Sequence, residues 1–251
     1  MKIDMMKIKG ENLTVAYGDN VVLRRVNFEV KKGDIFIIMG GSGCGKSSLL
    51  KVLTGLKEPA AGKVLIDGVD FYAADAAEQK KIMRNGGILY QSGALFSSMT
   101  LAENIALPLQ QYTDYSAAMI KDLVALKLAL VGLKGYEDFY PAEISGGMKK
   151  RAGLARAMAL DPDILYFDEP SAGLDPVSAK LLDDLILEIN QSLGTTIVVI
   201  THELSSIFAI GKNAIYLDSE TKSVSAYGNP HELLNNPPNR NVLSFLTGGR
   251  E

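Results

Sequence analysis

The sequence predicts an α/β fold with a parallel sheet at its centre, on three observations. Short runs rich in β-branched and aromatic residues alternate with stretches of helical periodicity along most of the chain. Two of the runs, IFIIM at 35–39 and TIVVI at 196–200, are apolar at successive positions, as strands covered on both faces must be. A glycine-rich stretch, GGSGCGKS at 40–47, joins the first of these runs to a segment with the apolar spacing of a helix.

The elements follow in chain order. LTVAY (13–17), VNFEV (26–30), KVLI (63–66), ILY (88–90), ILYF (164–167) and AIYL (214–217) read as further strands, and KSSLLKVL (46–53) as the helix after the glycine-rich loop. From 100 to 160 the chain carries LAENIALPL, AAMIKDLVALKLALVGL and MKKRAGLARAMAL with no convincing strand among them, which predicts a helical insert. Pro176 opens and Gly194 closes a long helix whose apolar face carries Leu181, Leu182, Leu185, Ile186, Ile189 and Leu193. Its other face, with Lys180, Asp183, Asp184 and Glu188, is expected to be wet. No linker, repeat or low-complexity tract interrupts the pattern. The expected organisation is one domain over 1–251: an α/β core at 7–92 and 161–230, a helical subdomain at 93–160, and a C-terminal extension at 231–251.

Composition narrows the class. A hydrophobic content of 47% over 251 residues is ample for a core. With 26 basic and 29 acidic residues the net charge is −3, which gives no electrostatic reason to expect nucleic acid as a partner. The single cysteine, Cys44, excludes an internal disulfide and fits a reducing compartment. The opening MKIDMMKIKGENL lacks the apolar core of a secretion signal, and no apolar run approaches the roughly 20 residues that span a bilayer. The expected location is the cytoplasm.

The pattern G-x-x-x-x-G-K-S between a buried strand and a helix is a phosphate-binding P-loop. Gly40, Gly41, Gly43 and Gly45 let backbone N–H groups turn inward on an anion, with Ser42, Cys44 and Ser48 completing the wall, and the helix N-terminus adds its positive dipole end. Lys46 is placed to reach the β- and γ-phosphates of a nucleotide, and the Ser47 hydroxyl to ligate Mg²⁺. Cys44 at this helix N-terminus has two readings, a thiol of lowered pKa or a small filler. A P-loop needs a second acidic strand, and ILYFDEP at 164–170 supplies it. Neighbouring strand residues point in opposite directions, so Asp168 can hold Mg²⁺ while Glu169 polarises the water that attacks the γ-phosphate.

About twenty residues before that acidic pair, ISGGMKKRAGLARAMALDPD begins at Ile144 with Ser145, Gly146 and Gly147 ahead of a helix, a second anion-binding helix start. This stretch resembles the signature motif of the ATP-binding cassette (ABC) ATPases. The resemblance implies an ATPase with an ABC-type nucleotide-binding domain and a homodimer in which the signature of one subunit closes over ATP held by the P-loop of the other. Further residues match the family's positions in order. Tyr17 corresponds to the aromatic that stacks on adenine, Gln91 to the glutamine that meets the metal and the attacking water, and Asp175 to the acid that crosses the dimer interface. Asp175 also stands where an N-cap of the helix from Pro176 belongs. His202, after TIVVIT, corresponds to the histidine that contacts the γ-phosphate; His231, the other histidine, is assigned a surface or capping role. The signature departs from the common pattern at Ile144 and Met148, which flank an unaltered Ser-Gly-Gly.

YQSGALFSSMTLAENIALPL and the stretch from EISGG to GLDP are similar to the ATPase of the MCE (mammalian cell entry) lipid-transport systems, notably the Mla type. That likeness implies a peripheral subunit at the cytoplasmic face of the inner membrane. Its partners would be an integral-membrane permease, a periplasmic lipid-binding MCE protein and, as a further candidate, a small cytoplasmic regulator. Ala94, Leu95 and Phe96, apolar beside Gln91, suit a groove that receives a permease helix, with packing inside the insert as the other reading. The tail PPNRNVLSFLTGGRE resembles an extension that lies on a neighbouring subunit through Phe245 and Leu246, against a frayed terminus. The alternatives from other functional classes are a soluble ABC ATPase of the iron–sulfur-assembly type and a transporter subunit for another substrate.

Overall fold

The computed structural model describes residues 5–249. Met1–Asp4, the start of the stretch read for a secretion signal, and Arg250 and Glu251, the end of the expected C-terminal extension, lie outside the described residues. Two sheets form the core. A six-stranded sheet has the order β10 (Ser223–Gly228), β9 (Asn213–Asp218), β3 (Ile35–Met39), β8 (Thr196–Ile200), β7 (Ile164–Asp168), β6 (Gly86–Leu89). All its pairings are parallel except the edge pair of β9 and β10. An antiparallel sheet packs over it in the order β2 (Asn20–Lys31), β1 (Met6–Tyr17), β4 (Ala61–Ile66), β5 (Val69–Asp70).

The continuous apolar runs are central, as expected. In β3 the side chains of Ile35, Ile37 and Met39 join one hydrophobic cluster, and Phe36 and Ile38 join another on the opposite face. In β8, Ile197 and Val199 separate from Val198 and Ile200 in the same way. The second cluster fills the space between the sheets and includes Ile8, Leu13 and Val15 of β1 and Leu49 and Leu53 of α1 (Lys46–Leu53).

β1 and β2 extend well beyond LTVAY and VNFEV, because the charged residues at 6–12 are not loop residues. Lys9 pairs with Glu11 and with Glu29 across the ladder, and Ile8 between the charges is buried. α2 (Ala76–Arg84), with no buried residue, and the polar edge strand β10 carry no strong sequence signal.

Residues 101–157 form α3 (Leu101–Tyr112), α4 (Ala117–Leu130) and α5 (Gly146–Ala157), with no strand between β6 and β7. Gly87 of β6 and Gly153 of α5 allow close approach to the sheet: a Cβ at Gly87 would lie 2.1 Å from the Ala157 carbonyl oxygen, and one at Gly153 2.8 Å from that of Gly93.

α6 (Pro176–Leu193) buries Leu182, Ile186 and Ile189, but the expected division of its faces is wrong at three positions. Leu181 and Leu193 are exposed, and Asp183 is only 5% exposed. The cause is α7 (Leu204–Ile210), which packs on α6 and covers the stripe on which Asp183 lies with Leu182 and Ile186. Asn190, also buried, is on that stripe and donates to the Gly33 and Thr195 carbonyls.

The tail forms α8 (Pro230–Asn235) and α9 (Arg240–Leu246) and folds onto its own chain. Leu246 and Val242 are buried in the main cluster, and Phe245 tilts against Tyr216 at 5.3 Å between ring centroids. Leu246 is therefore a core residue of this subunit, neither frayed nor an anchor on a neighbour. His231 opens α8, where its Nε2 lies 3.1 Å from the Phe208 carbonyl, a surface tie between helices.

Candidate active site

Four neighbouring parallel strands, β3, β8, β7 and β6, end on the same side of the sheet, and within two residues after each end stands one that the sequence singles out. The P-loop follows β3, His202 follows β8, Asp168 and Glu169 end β7, and Gln91 follows β6. The carboxyl ends of such strands are where open α/β sheets bind ligands. A cleft of about 810 Å³ opens there, lined by the P-loop residues Gly41, Ser42, Gly43 and Gly45 to Ser48, but not Cys44, together with Gln91, Glu169 and His202.

The P-loop is built for an anion. Gly40, Gly43 and Gly45 have φ of 151°, 76° and 103°, in the region that favours glycine. A Cβ on Gly40 would come within 2.5 Å of the Leu217 carbonyl oxygen. Gly45 caps α1 with no side chain and no acidic residue in the first turn, whereas α2 to α6 are each capped by a side-chain oxygen. The first N–H groups of α1 are thus left to a ligand. The Lys46 ammonium donates to the Gly40 and Gly41 carbonyls at 2.8 and 3.0 Å, which folds it back over the loop. Cys44 is buried, and burial raises its thiol pKa against the pull of Lys46. Of its two readings the filler stands, and the lowered pKa does not.

Asp168 and Glu169 do point apart. Asp168 lies on the Ser47 side of the site. Its carboxyl is pushed up by burial and then by the charge of Glu169, with Lys46, Lys51 and Ser47 opposing. Glu169 lies against His202, Oε1 to Nδ1 at 2.8 Å, and its Oε2 accepts from the His202 backbone N–H at 3.4 Å. The divergence comes less from strand pleating than from a bend: Glu169 has φ of 50°, unusual for a side-chain-bearing residue, while its N–H still bonds the Ile200 carbonyl at 2.8 Å. Tyr17 adjoins the site through its hydroxyl, 3.4 Å from Ser48 Oγ, and the Lys57 ammonium sits 4.3 Å from its ring centroid. Its ring is exposed, so it is not a core tyrosine.

Ser145, Gly146, Gly147 and Asp175 are not among the residues that line this cleft. They form a second group: a Cβ on Gly147 would lie 3.4 Å from Ser178 and 3.9 Å from Leu174, beside Asp175. Ser145 Oγ accepts from the Met148 N–H at 3.3 Å, and Asp175 Oδ1 accepts from the Val177 and Ser178 N–H groups at 3.0 Å, so both serve as helix caps. Hydrogen bonds from Ser178 and from the backbone hold the Asp175 carboxyl below its ordinary range.

The sequence gives no hint of Lys150. It is buried under the loop after β7, where its ammonium donates to the Glu169 and Ala172 carbonyls at 3.4 and 2.5 Å, and burial lowers its pKa. A lysine in MKKRAG reads as solvent-facing; only the loop folded over it shows otherwise. Leu204 and Gly248, which line the cleft rim, likewise carry no sequence signal, and Phe245, expected as an anchor on a neighbouring subunit, lines the same rim.

A P-loop, an acid pair, a histidine opposite the second acid and a separate Ser-Gly-Gly helix start together define an ATP-binding-cassette ATPase. The chain belongs to the ABC transporter family, whose model matches residues 23–172, and it binds and hydrolyses ATP. It is 40% identical over 241 residues to the intermembrane phospholipid transport system ATP-binding protein MlaF of Haemophilus influenzae, spanning 96% of this chain and 90% of that one. With MlaF of Escherichia coli K12 the identity is 38%, over 92% of this chain and 85% of the other. With the probable ribonucleotide transport ATP-binding protein mkl of Mycobacterium tuberculosis it is 41%, over 98% and 67%. Among solved structures, the dimeric post-hydrolysis state of the ATP-binding cassette MJ0796 bound to ADP and Pi superposes with a TM-score of 0.80 at 30% identity, covering 88% of this chain and 98% of that one.

Proposed function

We propose that this chain is the ATP-hydrolysing subunit of an ABC transporter that energises phospholipid movement between inner and outer membranes through a separate permease. The observation that carries the reading is the cleft at the ends of β3, β8, β7 and β6, in a chain similar to two MlaF proteins along nearly its whole length. Core, helical subdomain and C-terminal extension act as one domain in this reading. Two copies close on two nucleotides. The P-loop cradle and Lys46 hold the phosphates of one ATP, Tyr17 receives its adenine, and Ser145, Gly146, Gly147 and Asp175 of the other copy cover it. The separation of the Ser-Gly-Gly group from the cleft supports this, since within one subunit that group has no nucleotide to bind.

The adjacent Ser47 hydroxyl and Asp168 carboxylate, with Gln91 in the same cleft, are hard oxygen donors of the kind that suit Mg²⁺. The ion supplies charge neutralisation on the phosphates when bound. Glu169 takes the proton of the attacking water while its oxygen bonds to the γ-phosphorus, and the bond to the β,γ-bridging oxygen breaks to leave ADP and phosphate. His202, 2.8 Å from Glu169, orients that carboxylate and faces the γ-phosphate. Closure driven by ATP and reopening after phosphate loss move the permease.

The permease contact is assigned to a groove of about 660 Å³ between α2 and the helical segment. Phe96, 51% exposed, and Ala94 line it with Tyr90, Leu107 and Pro108, and Arg156 braces them, its guanidinium 5.8 Å from the Phe96 ring and bonded to the Ala94 carbonyl at 2.8 Å. Leu95 instead packs on the main cluster, so of the three expected contacts it belongs to the insert's own core. Among the described residues no helix is long and apolar enough to cross a membrane, which fits a peripheral subunit held at the cytoplasmic face of the inner membrane. An MCE protein and a small regulator complete the assembly in this reading. The mycobacterial relatives favour a second substrate class, ribonucleotides, for the same machinery.

Phe96→Asp tests the reading. A side chain this exposed tolerates substitution with little change in stability, roughly 0.5 kcal/mol or less. Burying it under a permease helix is worth about 1.5–3 kcal/mol, at least a tenfold change in affinity. The mutant is expected to fold, bind ATP and leave the membrane fraction for the cytosol, with a detergent-sensitive outer membrane. Wild-type chain recovered only in the soluble fraction with iron–sulfur assembly partners, or a mutant defective in nucleotide uptake but not in lipid balance, would overturn it.

A further inference from the structure

We infer that a buried relay, Ser171 to Ser206 to Asp183, sets the spacing between Glu169 and His202, which makes Asp183 a positioning residue for ATP hydrolysis. The inference rests on the proposed reading of Glu169 as the base. Its starting point is Asp183, an acid on the buried stripe of α6 that also carries Leu182, Ile186, Ile189 and Asn190, the last satisfied by bonds to the Gly33 and Thr195 carbonyls. The Ser206 hydroxyl donates to Asp183 Oδ2 at 2.8 Å, and Ser206 Oγ lies 3.2 Å from Ser171 Oγ. Serine has one hydroxyl hydrogen, and that of Ser206 is given to Asp183, so the contact with Ser171 must be a donation from Ser171 to Ser206. The direction of the whole chain is therefore set by the carboxylate at its end.

The two serines sit where spacing matters. Ser171 is two residues after Glu169, in the loop that follows β7, and Ser206 is four after His202, in the first turn of α7. Joining them ties the loop that carries the acid to the helix that follows the histidine, across the 2.8 Å contact between Glu169 and His202. Lys150 holds the same loop from the other side through the Glu169 and Ala172 carbonyls. All three relay residues are buried, so water does not compete for these bonds. Packing does not account for Asp183. Its Oδ1 has no hydrogen-bond partner among the described residues, and burial pushes its carboxyl up, with the Ser206 bond and Lys180 opposing and Asp184 adding to the rise. An aliphatic side chain would suit the stripe better; what the carboxylate adds is the orientation of Ser206.

The test measures the full-length protein for nucleotide affinity, with a fluorescent ATP analogue, and for steady-state ATPase. Ser206→Ala and Asp183→Ala are expected to lower kcat on the order of 10- to 100-fold, the scale of a misplaced reacting group, with nucleotide affinity within about twofold of wild type. Asp183→Asn keeps an acceptor oxygen for Ser206 and is expected to restore most of the rate. Ser171→Ala combined with Ser206→Ala should cost no more than Ser206→Ala alone, because both break one chain. A merely structural role would lower the melting temperature and leave kcat of the folded protein unchanged. If Asp183→Ala does not fold, Ser206→Ala, which loses a single oxygen, still decides. Wild-type kcat in folded, nucleotide-binding Ser206→Ala, or additive losses in the double variant, overturns the relay. Glu169→Gln run alongside separates the two failures: full turnover there removes the base assignment, whereas an inactive Glu169→Gln beside an unaffected Ser206→Ala removes only the relay.

Discussion

Replacing Glu169 by Gln isolates proton transfer from everything else the site does. The two side chains have the same length and shape, so the carboxamide can occupy the same place, only 12% exposed, and remake the 2.8 Å contact with His202. The φ of 50° belongs to the backbone and is carried by either residue, and Lys150 bonds the main-chain carbonyl rather than the side chain. Lys46 makes its bonds within the P-loop, to the Gly40 and Gly41 carbonyls, so the phosphate cradle is untouched. What is lost is an atom able to take a proton. General-base catalysis contributes about 10²–10⁴ in rate, which at about 1.36 kcal/mol per decade is roughly 2.7–5.4 kcal/mol of barrier. The expected outcome is a fall of that size in phosphate release, unchanged affinity for ATP, and accumulation of an ATP-bound dimer on size-exclusion chromatography. Turnover at the wild-type rate would refute the assignment, as would a loss of rate fully matched by a loss of ATP binding.

Two further outcomes follow from the geometry. Because Ser145, Gly146 and Gly147 stand apart from the P-loop cleft, a folded Ser145→Arg subunit mixed with a Lys46→Ala subunit should rebuild one intact site and recover ATPase activity that neither parent has; demonstrated heterodimers without activity would exclude sites shared between subunits. Asp183 has a carboxyl pKa raised by burial, so the native state holds its proton more tightly than the unfolded chain. Its favourable contribution is full below the unfolded pKa and is lost as pH rises through the raised native value. Asp183→Asn should therefore gain stability relative to wild type as pH increases from about 4 to 8, near and above the ordinary carboxylate range; parallel melting curves across that range would contradict the burial.

Most of the candidate site was legible in the residues. GGSGCGKS, ILYFDEP and ISGG each concentrate a proposed role into a few consecutive positions, because a glycine-rich loop, an acid pair at a strand end and a capped helix start are local backbone constructions. The runs IFIIM and TIVVI announced central strands because burial on both faces leaves no polar position to choose. Where the reading failed, the deciding partner came from elsewhere in the chain. Asp183 looked wet because its sequence neighbours Lys180 and Asp184 are exposed, and α7 buries it. Lys150 looked like one more surface lysine until the loop from β7 closed over it. Leu246 was an anchor or a fray in sequence and is a core residue in space, since α9 turns back onto Tyr216 and the sheet.

Local motifs thus determine which atoms meet a phosphate, because those atoms sit within a few residues of one another. The meeting of Lys46, Asp168, Glu169, His202 and Gln91 is different, since they are separated by up to 156 positions. It depends on the strand order β3-β8-β7-β6, which no short segment encodes. That order is a property of how apolar strands and helices pack into one core, and it decides that the histidine strand lies between the P-loop strand and the acid strand.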